Sequence, residues 1–247
     1  MHLPYGHLEK DGFRLRGTST SRIDGFSDVV FGFALTLLVV SSEVPHTYDQ
    51  FHQILLGLYP FALCFAIFFS VWHAHYRFFR RFGVHDNATI WINCVLLFTV
   101  MFYVYPLKFL FTLATTNNAQ HVFSNPYQLR ELVAVYGLGF TAIYYVVAAL
   151  YWNAWRQRCQ LDLSPLEVTL TLAYFWDFLG IGSFGLLCCL LAYLLPMDKV
   201  GDAPLCFFAI FFWKTAHGFI RARKLRSARA RTLPTDLEAL PRDTEPG

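Results

Sequence analysis

Six long apolar segments constrain what this 247-residue chain can fold into. A helix needs about 20 mostly apolar residues to cross the hydrocarbon core of a bilayer. Six stretches reach or approach that length, namely residues 25–42, 55–79, 89–113, 132–152, 166–195 and 203–220. Charged residues make up only 15% of the chain, against about 25% in a typical soluble domain. We therefore predict an integral membrane protein.

The apolar segments are continuous runs, such as FALCFAIFF over residues 61–69. Strands of a membrane barrel would instead alternate apolar and polar residues. In lipid, a helix satisfies all of its backbone polar groups within its own segment. The predicted fold class is therefore an all-α integral membrane protein with six transmembrane helices.

Basic residues are concentrated in every second connection. They are Arg77, Arg80 and Arg81 after the second segment, Arg156 and Arg158 after the fourth, and the run that begins at Arg221. The only basic residues in the loops on the other side are Arg130 and Lys199. Because cytoplasmic loops carry the excess of Lys and Arg, we expect a multi-pass cell-membrane protein with both termini in the cytoplasm.

The same pattern suggests three regions. These are a cytoplasmic N-terminal segment over residues 1–22, a transmembrane domain over 23–220, and a basic juxtamembrane run with a disordered tail over 221–247. We expect the basic run to continue the sixth helix into the headgroup region, where anionic lipids attract it. Since topology accounts for these charges, membrane lipids are the predicted partners and nucleic acid is not.

No pattern in the sequence indicates enzyme chemistry. A phosphate-binding Gly-rich loop, a nucleophile elbow and a His-Glu-x-x-His zinc motif are all missing. His73 and His75 point about 200° apart on a helix and cannot chelate one metal ion. We expect no enzymatic activity, no cofactor and no metal site. Gly180, Gly182 and Gly185 predict close helix packing, the usual role of small residues in membrane helices.

The first segment is the unusual one, because acidic residues precede a short apolar core over residues 29–40. A carboxylate inside a membrane helix is costly and indicates function by default. At about 100° per residue, two stripes emerge on this helix. One contains Phe26, Val30, Phe33, Leu37 and Val40 with Thr36 at its flank, and the other contains Asp24, Asp28, Phe31 and Leu35.

These residues resemble a known family. The stretch from Arg22 to Asp28 is similar to the Arg-x-x-x-Phe-Ser-Asp signature that opens the first helix of the transmembrane-protein-175 potassium channels. Residues 72–75 (WHAH) resemble the end of that family's second helix, and residues 91–93 (WIN) a motif of its third. Residues 105–110 (YPLKFL) are also similar. The resemblance is specific over residues 22–113.

The resemblance implies a bacterial-type channel with one six-helix repeat per chain, assembled as a homotetramer around four copies of the first helix. Potassium ions would be the permeant partners. The implied pore constriction consists of Phe33, Leu37 and Val40, with Thr36 as a hydroxyl selectivity layer. Phe33 stands where the family usually has Ile or Leu. This larger side chain at the constriction would affect conductance and selectivity.

The resemblance also implies a structural signature network that ties the first helix to the second and third. Its members are Arg22, Phe26, Ser27, Asp28, His75 and Asn93. We expect the Asp28 carboxylate to meet donors such as His75 and Asn93, because an unpaired buried charge is strongly unfavourable. Tyr76 stands where the family often has a second His. Asp177 and Lys108, each an isolated charge in its segment, receive no role.

Several alternatives stay open at the level of the sequence. The stripe that contains Phe33 could be an apolar seam within one subunit, and Thr36 could merely bond back to its own helix at Gly32. The chain could be a proton channel or a non-selective cation leak channel. It could also be a secondary transporter. Many transporters consist of two similar halves, whereas the two halves of this chain are not alike.

Overall fold

The computed structural model describes residues 8–9, 11–39, 46–115, 123 and 125–232. The regular secondary structure of these residues is helical, apart from an isolated β-bridge between Leu8 and Arg14. The helices are α1 (Arg22–Val39), α2 (Tyr48–Leu56), α3 (Leu58–Phe82), α4 (Asn87–Thr115), α5 (Pro126–Arg156), α6 (Pro165–Leu194) and α7 (Ala209–Thr232), with a 3-10 helix (Met197–Phe208) before α7.

Among the described residues, four helical stretches are long and apolar enough to cross a membrane. They are Asn87–Leu107, Tyr127–Arg156, Pro165–Leu194 and Met197–Arg223. The prediction of an all-helical membrane protein is confirmed at this level, while the count of six spans stays a prediction. Helix α1 is 18 residues long, carries three charged residues near its start, Arg22, Asp24 and Asp28, and is not among these four stretches.

Two boundaries differ from the sequence-based prediction. The second apolar segment begins at Leu58 rather than at residue 55, because Gly57 separates α3 from the short helix α2. The sixth segment begins as a 3-10 helix that contains Pro204, which has no N–H to donate within a helix. Helix α7 runs on to Thr232, so the basic run does continue the sixth helix. The predicted tail beyond it lies outside the described residues.

Local sequence signals explain where the later helices start. Asn125 and Ser164 cap α5 and α6 in reciprocal capping boxes with Gln128 and Glu167, and a proline follows each cap. Asp86 caps α4 by accepting a hydrogen bond from the Ala88 backbone N–H at 3.1 Å. Partial burial raises the pKa of Asp86, but hydrogen bonds, chiefly from the Thr89 hydroxyl, outweigh it and hold that pKa below its ordinary value.

Helices α5 and α6 approach each other closely through glycines, as the sequence predicted for this part of α6. A Cβ on Gly137 would lie 2.5 Å from the Gly185 carbonyl oxygen, so neither helix has room for a side chain there. The Thr141 hydroxyl donates to the Gly182 carbonyl at 2.9 Å across the same contact. A Cβ on Gly180 would run into the indole of Trp213 on α7.

The segment before α1 packs across the ends of α3 and α6, and we call it the N-terminal strap (residues 8–9 and 11–21). Phe13 is fully buried, with its ring centroid 5.3 Å from that of Phe82. The backbone N–H of Gly17 donates to the Arg80 carbonyl at 3.0 Å. The strap therefore fixes where α1 begins relative to α3.

Ion pairs hold the strap in place. The buried Arg81 guanidinium pairs with Glu9 and with Asp11 of the strap. The Arg16 guanidinium donates to both oxygens of Glu167 on α6, at 3.0 and 2.9 Å. This fork-to-fork geometry is the strongest form of such a pair. The strap thus joins the starts of α1 and α6 to the end of α3.

Candidate pore-lining helix

Helix α1 buries one face against the rest of the subunit. Ser27, Phe31, Ala34 and Leu38 are all buried, at the spacing of one helical stripe. This face packs against α3 and α4. The stripe is therefore the seam that attaches α1 to its own subunit.

The opposite face of α1 points away from the subunit. Phe26, Val29 and Phe33 are 61%, 70% and 55% exposed, and Thr36 is exposed beside them. A contiguous exposed apolar stripe of this kind marks a surface that contacts lipid or another chain. We call it the outward face of α1.

The three predicted constriction residues and the predicted selectivity residue Thr36 do not all lie on the outward face. Phe33 and Thr36 do, whereas Leu37 is partly buried and packs against the core of its own subunit. Val40 lies outside the described residues. The Thr36 hydroxyl donates to the Phe33 carbonyl at 2.7 Å, so a local bond exists, but to Phe33 rather than to Gly32. Because a hydroxyl oxygen also carries two lone pairs, the same oxygen can still coordinate a cation.

Three residues of the predicted network form a buried polar chain between α1, α4 and α3. The Asn93 amide donates to the Ser27 hydroxyl at 2.9 Å, and the Asn93 carbonyl oxygen pairs with Nε2 of His75, also at 2.9 Å. The Ser27 hydroxyl in turn donates to the Ile23 carbonyl at 2.8 Å. All three side chains are almost fully buried, so the chain fixes the rotation of α1.

Asp28 is placed differently from the sequence-based expectation. It is exposed, and its carboxylate accepts a hydrogen bond at 2.8 Å from the indole of Trp72 rather than from His75 or Asn93. Ser27, one residue earlier and about 100° around the helix, takes the buried position. Arg22 and Phe26 are also exposed, so they are not part of the buried chain.

A polar cleft of about 280 Å³ lies between the N-terminal strap, α1 and α3. Asp24, Asp28 and His75 line it together with residues 17–20 of the strap. One oxygen of Asp24 and Nδ1 of His75 are buried without a hydrogen-bond partner among the described residues. The cleft therefore places polar groups next to the N-terminal end of the outward face.

The sequence reasoning missed the ion pairs that position this end of α1, in particular Arg16 with Glu167 and Arg81 with Glu9 and Asp11. The capping-box pattern at Ser164 was a signal that Glu167 has a fixed position. Nothing local pointed to a partner 151 residues away.

Comparisons with known proteins converge on one family. The family model described as endosomal/lysosomal potassium channel TMEM175 matches residues 22–103, which contain α1, α3 and much of α4. A potassium channel of Marivirga tractuosa is 38% identical over 167 residues, covering 63% of this chain and 68% of that protein. A potassium channel of Chamaesiphon minutus is 30% identical over 158 residues, covering 59% and 68%.

Two solved structures share the fold. A crystal structure of the potassium channel MtTMEM175, as a threonine-to-alanine variant bound to a nanobody–MBP fusion, superposes with a TM-score of 0.76 at 30% identity. It covers 88% of this chain and 100% of that chain. The lysosomal potassium-selective channel TMEM175 homolog from Chamaesiphon minutus gives 0.53 at 26% identity, covering 79% and 96%. Together with the buried Ser27–Asn93–His75 chain inside the matched region, these similarities show that this chain belongs to the TMEM175 family of potassium channels.

Proposed function

We propose that this chain conducts potassium ions, in preference to other cations, through a pore lined by the outward face of α1. The proposal rests on the observation that Phe33 and Thr36 are exposed on the face opposite the buried stripe of α1. They lie within the residues that match the family model. The named relatives are potassium channels, which also fits the expectation that the chain is not an enzyme.

The chemistry of such a pore follows from two side chains. The Phe33 ring presents an apolar surface that a hydrated cation crosses only at a cost, and an apolar constriction also blocks by dewetting. The Thr36 oxygen lies about one turn further along. It keeps its lone pairs because its proton is already donated to the Phe33 carbonyl. Several copies would offer several oxygens to an ion that has lost part of its water shell.

The proposed orientation places both termini in the cytoplasm of a cell-membrane protein. The supporting observation is that basic residues are concentrated at one end of the subunit. Arg80 and Arg81 lie near the end of α3, and Arg156 ends α5. The N-terminal strap contacts this end through Arg81 and Glu167. An excess of Arg at one end of a bundle marks the cytoplasmic side.

A homotetramer is the predicted assembly. One copy presents a single outward face and cannot enclose a pore, so several copies must surround a common axis. Native mass spectrometry of the full chain in a mild detergent should show a mass of four subunits. A monomer or dimer as the sole species would contradict the assignment of the pore to α1.

The Thr36→Val substitution should lower the preference for potassium over sodium, because it removes the only side-chain oxygen that α1 offers beside Phe33. The reversal potential of currents under a potassium/sodium gradient measures this preference. Thr99→Val is the matched control, since Thr99 is a partly exposed threonine on α4 whose hydroxyl also bonds to its own helix, donating to the Val95 carbonyl at 2.7 Å. An unchanged permeability ratio in Thr36→Val would mean that the hydroxyl serves only its local bond.

A further inference from the structure

A second polar cleft, also of about 280 Å³, opens between α3, α5, α6 and α7. Its lining holds three permanent cations, Arg77, Lys214 and Arg221, together with His73 and His217, against the single carboxylate of Asp177. The pore proposed for α1 makes no use of this cleft. This excess of positive charge would attract an anionic ligand.

Acidic groups near the cleft neutralise little of this charge. Asp177 is directed to His217, with 3.7 Å between the carboxylate oxygen and Nδ1. Glu9 lies 4.0 Å from Arg77 but is already paired with Arg81. Lys214 and Arg221 form no ion pair within the part of the chain that the structure describes. Uncompensated charge in or near a membrane is costly, so such groups are expected to pair with a partner.

The guanidinium groups are held in fixed positions around one aromatic ring. Arg77 donates to the Tyr174 hydroxyl at 2.9 Å, and its guanidinium carbon lies 5.2 Å from the centre of the Tyr174 ring. The guanidinium carbon of Arg221 lies 4.9 Å from the same centre. Planar guanidinium groups that are already oriented match the geometry of a phosphate group.

We propose that this cleft binds the phosphate group of an anionic phospholipid. Lys214 and Arg221 are seven residues apart on α7, so they span about 10 Å along its axis, from the apolar part of α7 towards its basic end. The same part of the chain carries exposed aromatic side chains, namely Phe208, Phe211, Phe212 and Phe219. Acyl chains would cover these rings, which a free phosphate ion would leave uncovered.

The position in the membrane agrees with this ligand. Basic pockets between transmembrane helices on the cytoplasmic side are typical sites for anionic headgroups. Arg77 lies one to two turns before the end of α3, close to the end at which Arg80 and Arg81 gather. The inference uses the proposed orientation but does not depend on which helix lines the pore.

The test is lipid binding to the full chain in detergent, followed by native mass spectrometry. Phosphatidylglycerol is titrated against phosphatidylcholine with the same acyl chains, and inorganic phosphate is titrated separately. The variants are Lys214→Gln and Arg221→Gln. Arg156→Gln is the matched control, because Arg156 is exposed at the same end of the subunit but does not line the cleft.

The expected result is preferential binding of phosphatidylglycerol by the wild type and by Arg156→Gln. Each cleft variant should lose affinity about fivefold, the equivalent of about 1 kcal/mol per basic residue near a headgroup. An equal loss in Arg156→Gln, or no loss in the cleft variants, would overturn the site. Inorganic phosphate that binds as tightly as the lipid would overturn the lipid assignment. If Arg221→Gln unfolds, Lys214→Gln decides alone, because its side chain is exposed.

Discussion

Phe33→Ala is expected to raise potassium flux severalfold in reconstituted liposomes and to weaken the preference for potassium over sodium. Phe33 is the bulkiest described side chain of the outward face near Thr36, and it is more than half exposed in the single subunit. In a symmetric assembly the Phe33 rings would meet around the axis and leave little room for a hydrated cation. Alanine removes this apolar barrier and leaves the Thr36 hydroxyl in place.

Leu35→Ala is the matched control for this experiment. Leu35 lies about 160° from Phe33 around the helix and packs, partly buried, against the core of its own subunit. It should therefore change neither flux nor ion preference, although it also removes apolar side chain from the same helix. Equal effects of the two substitutions would mean that the pore face of α1 is assigned to the wrong side.

Asn93→Ala is expected to destabilise the protein much more than Asp28→Ala. It leaves Nε2 of His75 without its partner and removes the hydrogen bond that the Ser27 hydroxyl accepts, although this hydroxyl still donates to the Ile23 carbonyl. Both side chains are almost fully buried. Each buried polar group left unsatisfied costs about 1–3 kcal/mol. Asp28→Ala removes a hydrogen bond from Trp72 at an exposed position, where water can replace the lost partner, so no buried polar group is left unsatisfied.

Thermal unfolding in detergent measures both variants under one condition. The midpoint should fall clearly further for Asn93→Ala, and the yield of assembled protein should fall with it, because the Ser27–Asn93–His75 chain sets the rotation of α1. If Asp28→Ala proves the more destabilising of the two, Asp28 rather than Ser27 would be the principal polar anchor of α1.

The helices and their close contacts could largely be predicted from the sequence. Continuous apolar runs predicted α3, α4 and α6 to within three residues at each end, whereas α5 begins six residues before its predicted run. The glycines of α6 correctly indicated close approach, as the contact of Gly185 with Gly137 shows. The short helix α2 was missed because residues 55 and 56 read as part of the apolar run that follows. The last segment starts as a 3-10 helix that contains Pro204. A hydropathy pattern does not distinguish a 3-10 helix from an α-helix.

The rotation of α1 was harder to predict. Most residues from 29 to 39 are apolar, so angular arithmetic separated stripes but could not say which one contacts the subunit. The structure buries Ser27 and Ala34 together with Phe31, between the two stripes expected from the sequence. For this reason Leu37 packs inward and Asp28 faces Trp72. Polar contacts with distant residues, such as Asn93, decide the rotation.

The N-terminal strap could not be predicted at all. Its contacts join residues 72 and 151 positions apart, as in Arg81 with Glu9 and Arg16 with Glu167. Ordinary polar residues form these pairs, and their spacing carries no periodic signal. Only the capping box at Ser164 and Glu167 was visible locally, and it predicts a helix start rather than a long-range ion pair.

The most direct test of the proposed potassium pore is the reversal potential of the reconstituted wild-type protein, with potassium on one side of the bilayer and sodium on the other. We predict currents that flow down the ion gradients and reverse at a voltage displaced towards the potassium equilibrium potential. Reversal near zero would identify a non-selective leak, and slow, saturating, coupled flux would identify a transporter. Either result would contradict a potassium-preferring pore.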